Sequence, residues 1–368
     1  MNYKETLFFV AKCLTINHEA HNKRIVEKAL QSNTVDWDEV VKLSTAHYVF
    51  PALYCNLKRA SFLSYLPDDL VDYMKYITDL NRERNEQIIA QAKELNTLLL
   101  EHNITPIFIK GTGNLLEGLY EDIAERMVGD IDFICSEVEY PKVIKVLKQK
   151  GYKSNSKFEL TPTFRHYRRL KLINKIAAVE IHKELLNEKY TKEFNYDFIK
   201  NSILKINNSF VLNFKNQLIL SSAAHQINDY GFDNISLALR NAYDVFLLSK
   251  KTNAKDAFLE FNALQHPLHC FLASCYEVFN KPETLHYISS KKTEKYLNIF
   301  YKLLIDRKLA KKIYDRTEKK RKKIIYITKY IIIFKSFFYK KYRVWLFKRI
   351  TDKNWRKEKL IQLGIKKP

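Results

Sequence analysis

Apolar residues recur at helical spacing over residues 1–102 and again from about residue 190 onward, with shorter apolar runs between. The first region ends in a long amphipathic stretch, and four of its residues predict one buried stripe: Leu80, Ile88, Leu95 and Leu99. Asn103 directly follows this stretch and has the character of a helix C-cap. Both ends of the chain are therefore predicted to be mainly helical.

Short apolar runs in the middle of the chain predict strands, because they are brief and bounded by turn residues. They are TPIFIKG (105–111), RMVGDIDFICS (126–136), TPTFRHYRRLKLI (161–173) and KIAAVEIHKEL (175–185). A helix is predicted between the first two runs, and another between Pro141 and Gly151. This order predicts an α+β fold in which a small mixed sheet is flanked by helical regions.

The net charge of +22 is concentrated at the C-terminal end. Residues 301–368 contain 24 of the 63 Lys and Arg residues but only 5 of the 41 Asp and Glu residues, so they carry +19 of that charge. The remaining 300 residues are close to neutral. An electrostatic attraction to an anionic partner is therefore expected from the tail.

Cysteine usage and the N-terminus bear on the compartment. The five cysteines are odd in number and form no CxxC pair, so neither a disulfide framework nor a zinc knuckle is indicated. The N-terminal sequence carries an acid and lacks the long apolar run of a signal peptide. A reduced, cytoplasmic protein is expected.

Two carboxylates stand one residue apart in the second predicted strand. Asp130 and Asp132 share one face, because residues i and i+2 of a strand point the same way. Such a pair is repulsive unless a cation lies between the two groups, and Mg²⁺ (or Mn²⁺) prefers carboxylate and phosphate oxygens. Glu180, between Val179 and Ile181 in the last predicted strand, is placed to supply a third acid. These three residues are the predicted metal ligands.

A glycine turn precedes this strand. Gly111 ends one predicted strand and begins a helix, where backbone N–H groups favour a phosphate. Lys110 and Arg126 add positive charge nearby. A phosphate-binding turn together with a carboxylate trio indicates phosphoryl or nucleotidyl transfer.

The same elements resemble the uncharacterised bacterial nucleotidyltransferases of the DNA polymerase β superfamily. The resemblance covers residues 104–250. It is carried by Lys110-Gly111, Tyr120, Arg126-Met127, Asp130-Ile131-Asp132, Gly151-Tyr152, His166, Glu180-Ile181-His182, His225 and Asp244. A Lys-Gly-Thr turn replaces the usual Gly-Ser or Gly-Gly, as in the related abortive-infection toxins.

The resemblance implies a metal-dependent nucleotidyltransferase with Asp130, Asp132 and Glu180 as catalytic metal ligands. It implies that Gly111, with Thr112, holds the nucleoside triphosphate. His166 and His182 are candidate substrate contacts, although histidines at such positions also serve packing.

The predicted division of the chain has four parts. They are an N-terminal helical region (1–102), a nucleotidyltransferase palm (103–190), a helical domain (191–318) and a basic aromatic tail (319–368).

Three functions remain open at this level. The first is transfer of a nucleoside monophosphate to a small molecule, a sugar or a lipid-linked precursor. The second is a toxin-like transfer to RNA or protein. The third is a catalytically silent nucleotide-binding module, against which the intact carboxylate trio argues. The acceptor and the identity of the nucleotide are not indicated.

The tail mixes lysine clusters with large aromatic residues. Lys329 and Lys335 interrupt its apolar run, so a transmembrane span is not expected. A basic aromatic helix suits the inner face of an anionic membrane, where it would make the protein peripheral. The alternatives are a nucleic-acid backbone, which is less favoured, and packing of the apolar face on the body of the protein.

Overall fold

The computed structural model describes residues 1–154 and 164–351. The α-helices in these ranges are α1 (Tyr3–Thr15), α2 (Ala20–Gln31), α3 (Trp37–Ala46), α4 (Phe50–Arg59), α5 (Asp68–Glu101), α6 (Lys110–Glu117), α7 (Tyr140–Gln149), α8 (Tyr196–Ile199), α9 (Phe214–Ala223), α10 (Gly231–Asn234), α11 (Leu239–Ser249), α12 (Gln265–Val278), α13 (Lys291–Ile305), α14 (Arg307–Phe338) and α15 (Lys340–Thr351). The strands are β1 (Ile107–Phe108), β2 (Asp130–Ile134), β3 (Ala178–His182), β4 (Ile203–Ile206) and β5 (Ser209–Leu212). The described residues up to Ala310, apart from Phe164, form one compact unit, and the others belong to a second.

The five strands form one mixed sheet in the order β3-β2-β1-β5-β4. Strand β2 pairs parallel with β3, and β4 pairs antiparallel with β5. The central strand β1 runs antiparallel to β2 and parallel to β5. A single five-stranded mixed sheet in a mainly helical chain agrees with the predicted α+β class. The division into four domains stays a prediction.

Strands β4 and β5 form a hairpin that the sequence analysis did not predict. It belongs to a stretch expected to be mostly helical, yet β5 pairs with β1 near the centre of the sheet. Asn207 and Asn208 connect the two strands with φ values of 45° and 68°. Asparagine tolerates the left-handed conformation that such a tight turn requires.

The prediction of a strand over residues 161–173 is wrong for residues 164–173. Residues 161–163 lie outside the described residues. Residues 164–173 form only isolated bridges, which join His166 to His182, Leu170 to Val179 and Lys171 to Lys153. They thus run beside β3 without building a continuous ladder. This brings the arginines of the segment to the edge of β3.

Helix α5 is packed on the sheet by its amide side chains as well as by apolar ones. The predicted stripe holds for Ile88, Leu95 and Leu99, whereas Leu80 is 45% exposed. Four buried amides hydrogen-bond to backbone groups of the sheet region: Asn81, Asn85, Gln91 and Asn96. Unpaired buried carbonyls are costly, so these amides fix the loops that precede β2 and β3.

The tail forms helices α14 and α15, and residues 352–368 of the predicted tail lie outside the described residues. Several aromatic side chains on these helices are 64–71% exposed: Tyr326, Tyr330, Phe334, Phe337, Phe338 and Phe347. Within the described ranges, no helix combines the length and the apolar character needed to span a bilayer.

Candidate active site

A cavity of about 360 Å³ opens where the ends of β2 and β3 meet α6, α9 and α11. Seven of the residues proposed from sequence line it: Lys110, Gly111, Arg126, Asp130, Asp132, His166 and Glu180. Thr112 and His182 do not line it, but both are buried directly behind the carboxylates. The structure thus gathers all nine sequence-predicted residues in one region.

The carboxylates are placed by strand register. In β2 the side chains of Ile131 and Phe133 are fully buried, so Asp130 and Asp132 both point to the other, cavity-lining face. The parallel pairing of β2 with β3 sets Asp132 opposite Glu180. Three acids from two adjacent strands therefore face one space.

Asp132 is surrounded by cationic and hydrogen-bonding groups. Its Oδ1 accepts a hydrogen bond from Lys110 Nζ at 2.6 Å and lies 2.7 Å from His182 Nε2. Burial alone would raise the pKa of Asp132, but the Lys110 ammonium and the His182 hydrogen bond outweigh it and hold this pKa well below its usual range. Asp132 is consequently an anion at neutral pH.

Arg169 bridges the other two carboxylates. Its Nη2 is 2.8 Å from Asp130 Oδ2, its Nε is 2.8 Å from Glu180 Oε1, and its side chain is 62% exposed. Burial raises the pKa of Asp130, and the charge of Arg169 only partly opposes that effect. Arg169 therefore supplies the positive charge that this pair of acids needs.

Ligand atoms of Asp132, Glu180 and His182 all lie within 4.8 Å of one another. His182 is fully buried, and its Nδ1 has no hydrogen-bond partner among the residues that the structure describes. Carboxylate oxygens suit Mg²⁺, and an added imidazole nitrogen suits Mn²⁺ equally well. The donor set fits a divalent cation, with Asp130 at its edge.

The turn before α6 is held in an unusual conformation. Lys110 has a φ of 55°, although it is not glycine. Gln217 stabilises this conformation, since its side chain accepts from the Lys110 N–H and donates to the Lys110 carbonyl, both at 3.3 Å. A Cβ atom at Gly111 would lie 2.9 Å from Val128 Cγ2, so any larger residue requires the side chain of Val128 or the turn itself to shift.

Thr112 fixes α6 to β2. Its hydroxyl donates to the Asp130 carbonyl at 3.2 Å and accepts from the Asp132 N–H at 3.3 Å. The side chain is 1% exposed. Thr112 therefore sets the backbone between the two aspartates, and the nucleotide contact expected of it stays a prediction.

Arg126 is buried and ion-paired across the cavity wall. Its Nε and Nη2 both lie 3.0 Å from Asp244 Oδ2, and Tyr120 donates to the other oxygen of Asp244 at 2.7 Å. His225, which the family resemblance names together with Asp244, has its Nε2 at 2.9 Å from the carbonyl of Ser236. The guanidinium of Arg126 borders Gly111, so its predicted role toward phosphate stays open to test.

Several further residues line the cavity that sequence reasoning did not propose as site residues. They are Arg165, Arg169, Ser221, Asn228, Asp229, Arg240, Asn241 and Asp244. Asp244 was named as part of the family resemblance but not as a site residue. Three of these residues are arginines: Arg165 and Arg169 belong to a short basic run, and Arg240 is an isolated basic residue in an otherwise apolar stretch. Asn228 ends a π-helical turn, Ala224–Asn228, a deviation that often marks functional sites but has no sequence signature.

A family model described as an uncharacterised nucleotidyltransferase matches residues 33–280. The chain belongs to this nucleotidyltransferase family. The match includes every residue that lines the cavity, from Lys110 to Asp244. Among curated proteins and among solved structures, none matches this chain. The family membership confirms the resemblance found from the sequence.

Proposed function

We propose that this member of the nucleotidyltransferase family transfers a nucleoside monophosphate from a nucleoside triphosphate to an acceptor, and that its mixed sheet is the nucleotidyltransferase palm. The supporting observation is the meeting of Asp130, Asp132 and Glu180 with basic side chains in one cavity. An acceptor oxygen forms a bond to the α-phosphorus, the bond to the β-phosphate oxygen breaks, pyrophosphate leaves and the acceptor proton passes to water.

The three carboxylates would hold Mg²⁺ or Mn²⁺, with His182 as a further donor beside Asp132. The bound ion would neutralise charge on the phosphates. Lys110 and Arg169 neutralise the same carboxylates in the structure, so both side chains compete with a metal for them. Once displaced, they would lie beside the phosphates as hydrogen-bond donors.

The glycine turn would receive the triphosphate. Gly111 and Arg126 lie on the same wall of the cavity, and α6 begins at Lys110. Because the first N–H groups of a helix lack intrahelical partners, they are available to an anion. His166, with Nδ1 4.0 Å from Glu180 Oε2, lies at the edge where an acceptor would approach.

A test of this function uses each labelled nucleoside triphosphate with a cell extract and asks which fraction becomes labelled. Label in small molecules or lipids would support the favoured acceptor class, and label in RNA or protein would support the toxin-like alternative. Asp130→Asn combined with Asp132→Asn should abolish transfer while the circular-dichroism spectrum is retained. Asp38→Asn with Asp72→Asn removes two exposed carboxylates outside the cavity and serves as the control. Transfer at the wild-type rate by the first double variant would refute the mechanism, and no labelling by the wild type would favour a silent binding module.

We also propose that helices α14 and α15 attach the protein to an anionic membrane surface, where lipid-linked acceptors lie. The supporting observation is the set of exposed aromatic side chains in a segment with a large excess of lysine and arginine. Each basic residue near such a surface contributes about 1 kcal/mol, and inserted apolar area adds to it.

Sedimentation of the full-length chain with vesicles tests this attachment. Phosphatidylserine vesicles should carry the protein down and phosphatidylcholine vesicles should not. Phe337→Ser should weaken this binding, whereas Tyr76→Ser, at a similarly exposed aromatic residue on α5, should leave it unchanged. Failure to bind anionic vesicles, with salt-dependent binding to RNA instead, would contradict the proposal and favour the toxin-like function.

A further inference from the structure

The cavity contains two kinds of arginine. Arg126 and Arg169 have carboxylate partners at 2.8–3.0 Å. Arg165 and Arg240 line the same cavity, but neither forms an ion pair with a carboxylate in residues 1–154 and 164–351. Both are half-buried. A buried charge without a counter-ion is costly, so these two side chains require an explanation that the pairing within the chain does not give.

Arg240 is the clearer case. It lies near the start of α11, and its Nε is buried with no hydrogen-bond partner in the part of the chain that the structure describes. Its guanidinium carbon is 5.1 Å from the centre of the Tyr48 ring, a contact that orients the group without neutralising it. Burial, with the nearby charge of Arg126, lowers the pKa of Arg240, although the charges of Asp244 and Asp229 oppose this.

Arg165 faces the cavity from the segment beside β3. Its carbonyl accepts hydrogen bonds from the N–H groups of Lys183 and Glu184, at 2.9 and 3.1 Å, so its backbone is fixed. Among the described residues, its Nη1 reaches the Leu185 carbonyl at 3.5 Å, which is at the limit of a hydrogen bond. Burial lowers the pKa of Arg165 as well, although the charges of Asp229 and Glu180 oppose this.

We propose that Arg165 and Arg240 form the subsite for the β- and γ-phosphates of the nucleoside triphosphate, and hence for the pyrophosphate that leaves. This inference rests on the proposed function. A guanidinium presents a planar pair of donors that matches two phosphate oxygens, and two of them facing one cavity suit a multiply charged oligophosphate. The cavity volume of about 360 Å³ lies in the range of small-molecule sites.

With this proposal, the carboxylates of β2 and β3 and the two arginines have complementary uses, although Asp229 also lines the cavity. Asp130, Asp132 and Glu180 form an acidic side that repels a bare anion, and Arg165 and Arg240 add a basic side contributed by other elements. An oligophosphate bound between the two sides would satisfy the orphan Nε of Arg240. A neutral or cationic ligand would leave the guanidinium of Arg240 without an ion-pair partner.

The experiment is calorimetric titration of the full-length chain with inorganic pyrophosphate and with tripolyphosphate, in the presence of Mn²⁺. Arg165→Gln and Arg240→Gln should each weaken binding about tenfold or more, since each removes charge-assisted hydrogen bonds. Arg240→Lys should restore part of the affinity. Arg24→Gln, which removes an exposed arginine of α2, is the control for net charge and should bind as the wild type does. ATP should respond to the two variants as tripolyphosphate does, whereas AMP should respond much less.

A second measurement separates ligand binding from a structural role. Without ligand, Arg240→Gln should keep or raise the melting temperature, because it removes an uncompensated buried charge. A lowered melting temperature with unchanged tripolyphosphate affinity would overturn the proposal. Unchanged pyrophosphate and ATP affinities in both variants would overturn it as well, even if the wild type transfers nucleotides. Arginine-dependent tripolyphosphate binding without nucleotide transfer would instead refute the proposed function and leave the subsite standing.

Discussion

Arg169 lies between Asp130 and Glu180, where a divalent cation would find two of its ligands. The guanidinium forms one contact of 2.8 Å with each carboxylate. A metal ion that binds these oxygens must therefore break both contacts. Replacing Arg169 with glutamine removes the competing charge but keeps a polar side chain of moderate length. We expect this variant to bind Mn²⁺ more tightly than the wild type.

The size of the expected change in Mn²⁺ affinity follows from the solvent exposure of the Arg169 side chain. The Arg169 side chain is 62% exposed, so solvent screens both ion pairs. Exposed pairs of this kind contribute about 0.2–1 kcal/mol each, and two of them therefore total about 1 kcal/mol. This free energy corresponds to about a fivefold change in Kd. The loss of one positive charge near the metal acts in the same direction.

Mn²⁺ affinity is measured by calorimetry or by the loss of the free-ion electron paramagnetic resonance signal. Arg168→Gln is the matched control, since it changes the net charge equally at the neighbouring position and Arg168 is not among the cavity-lining residues. The control should show less than half of the change in binding free energy. Equal or weaker Mn²⁺ binding by Arg169→Gln would show that Arg169 does not compete with the metal.

Two further predictions concern stability. Burial raises the pKa of Glu117 to about 7, against the opposing charge of Lys251, and neither carboxylate oxygen has a hydrogen-bond partner in the described residues. Because the pKa of Glu117 is higher in the folded state than in the unfolded state, protonation of Glu117 favours folding. This contribution to the free energy of unfolding is complete below about pH 4 and is lost as the pH rises toward 7. Glu117→Gln should thus raise the melting temperature by at least ~2 °C at pH 8 and much less at pH 4.5, and an equal shift at both pH values would contradict this reasoning. Asn85 donates to the carbonyls of Ile123 and Arg126 at 2.6 and 2.7 Å, so Asn85→Ala should cost about 1–3 kcal/mol in denaturant unfolding, and an unchanged free energy of unfolding would show that these carbonyls find other partners.

The face of the sheet that carries the acids could be predicted from local sequence. Alternation along β2 places Asp130 and Asp132 together, and the structure shows these side chains on one face with Ile131 buried on the other. The pairing of Asp132 with Glu180 required in addition that the two strands be parallel neighbours in this register. Short-range period therefore identified the acids, and the sheet set how they meet.

The basic half could not be predicted in the same way. The partners Arg126 and Asp244 are 118 residues apart, and a basic residue in an ordinary run gives no sign of its counter-ion or of the lack of one. Arg165 and Arg240 are distinguished by having no carboxylate ion pair among the described residues, which depends on how several elements pack around the cavity. The missed hairpin is different, because the alternation in SILKINNSFVL around two asparagines is a local signal that outweighs the helical context.

The cavity contains basic residues that are fixed in place by several hydrogen bonds and at least one, Arg169, that can exchange its carboxylate partners. Arg126 is buried on Asp244, and Gln217 fixes the backbone of Lys110, so neither can move far without breaking several hydrogen bonds. Arg169 is exposed, and its ion pairs within the described residues are with carboxylates that a metal would also use. In a purely structural ion-pair network each member has a partner, whereas Arg240 forms no carboxylate ion pair, and its Nε no hydrogen bond, with the residues that the structure describes. That imbalance, and not the number of charged residues, is the reason to regard the cavity as a binding site for an anion accompanied by a cation.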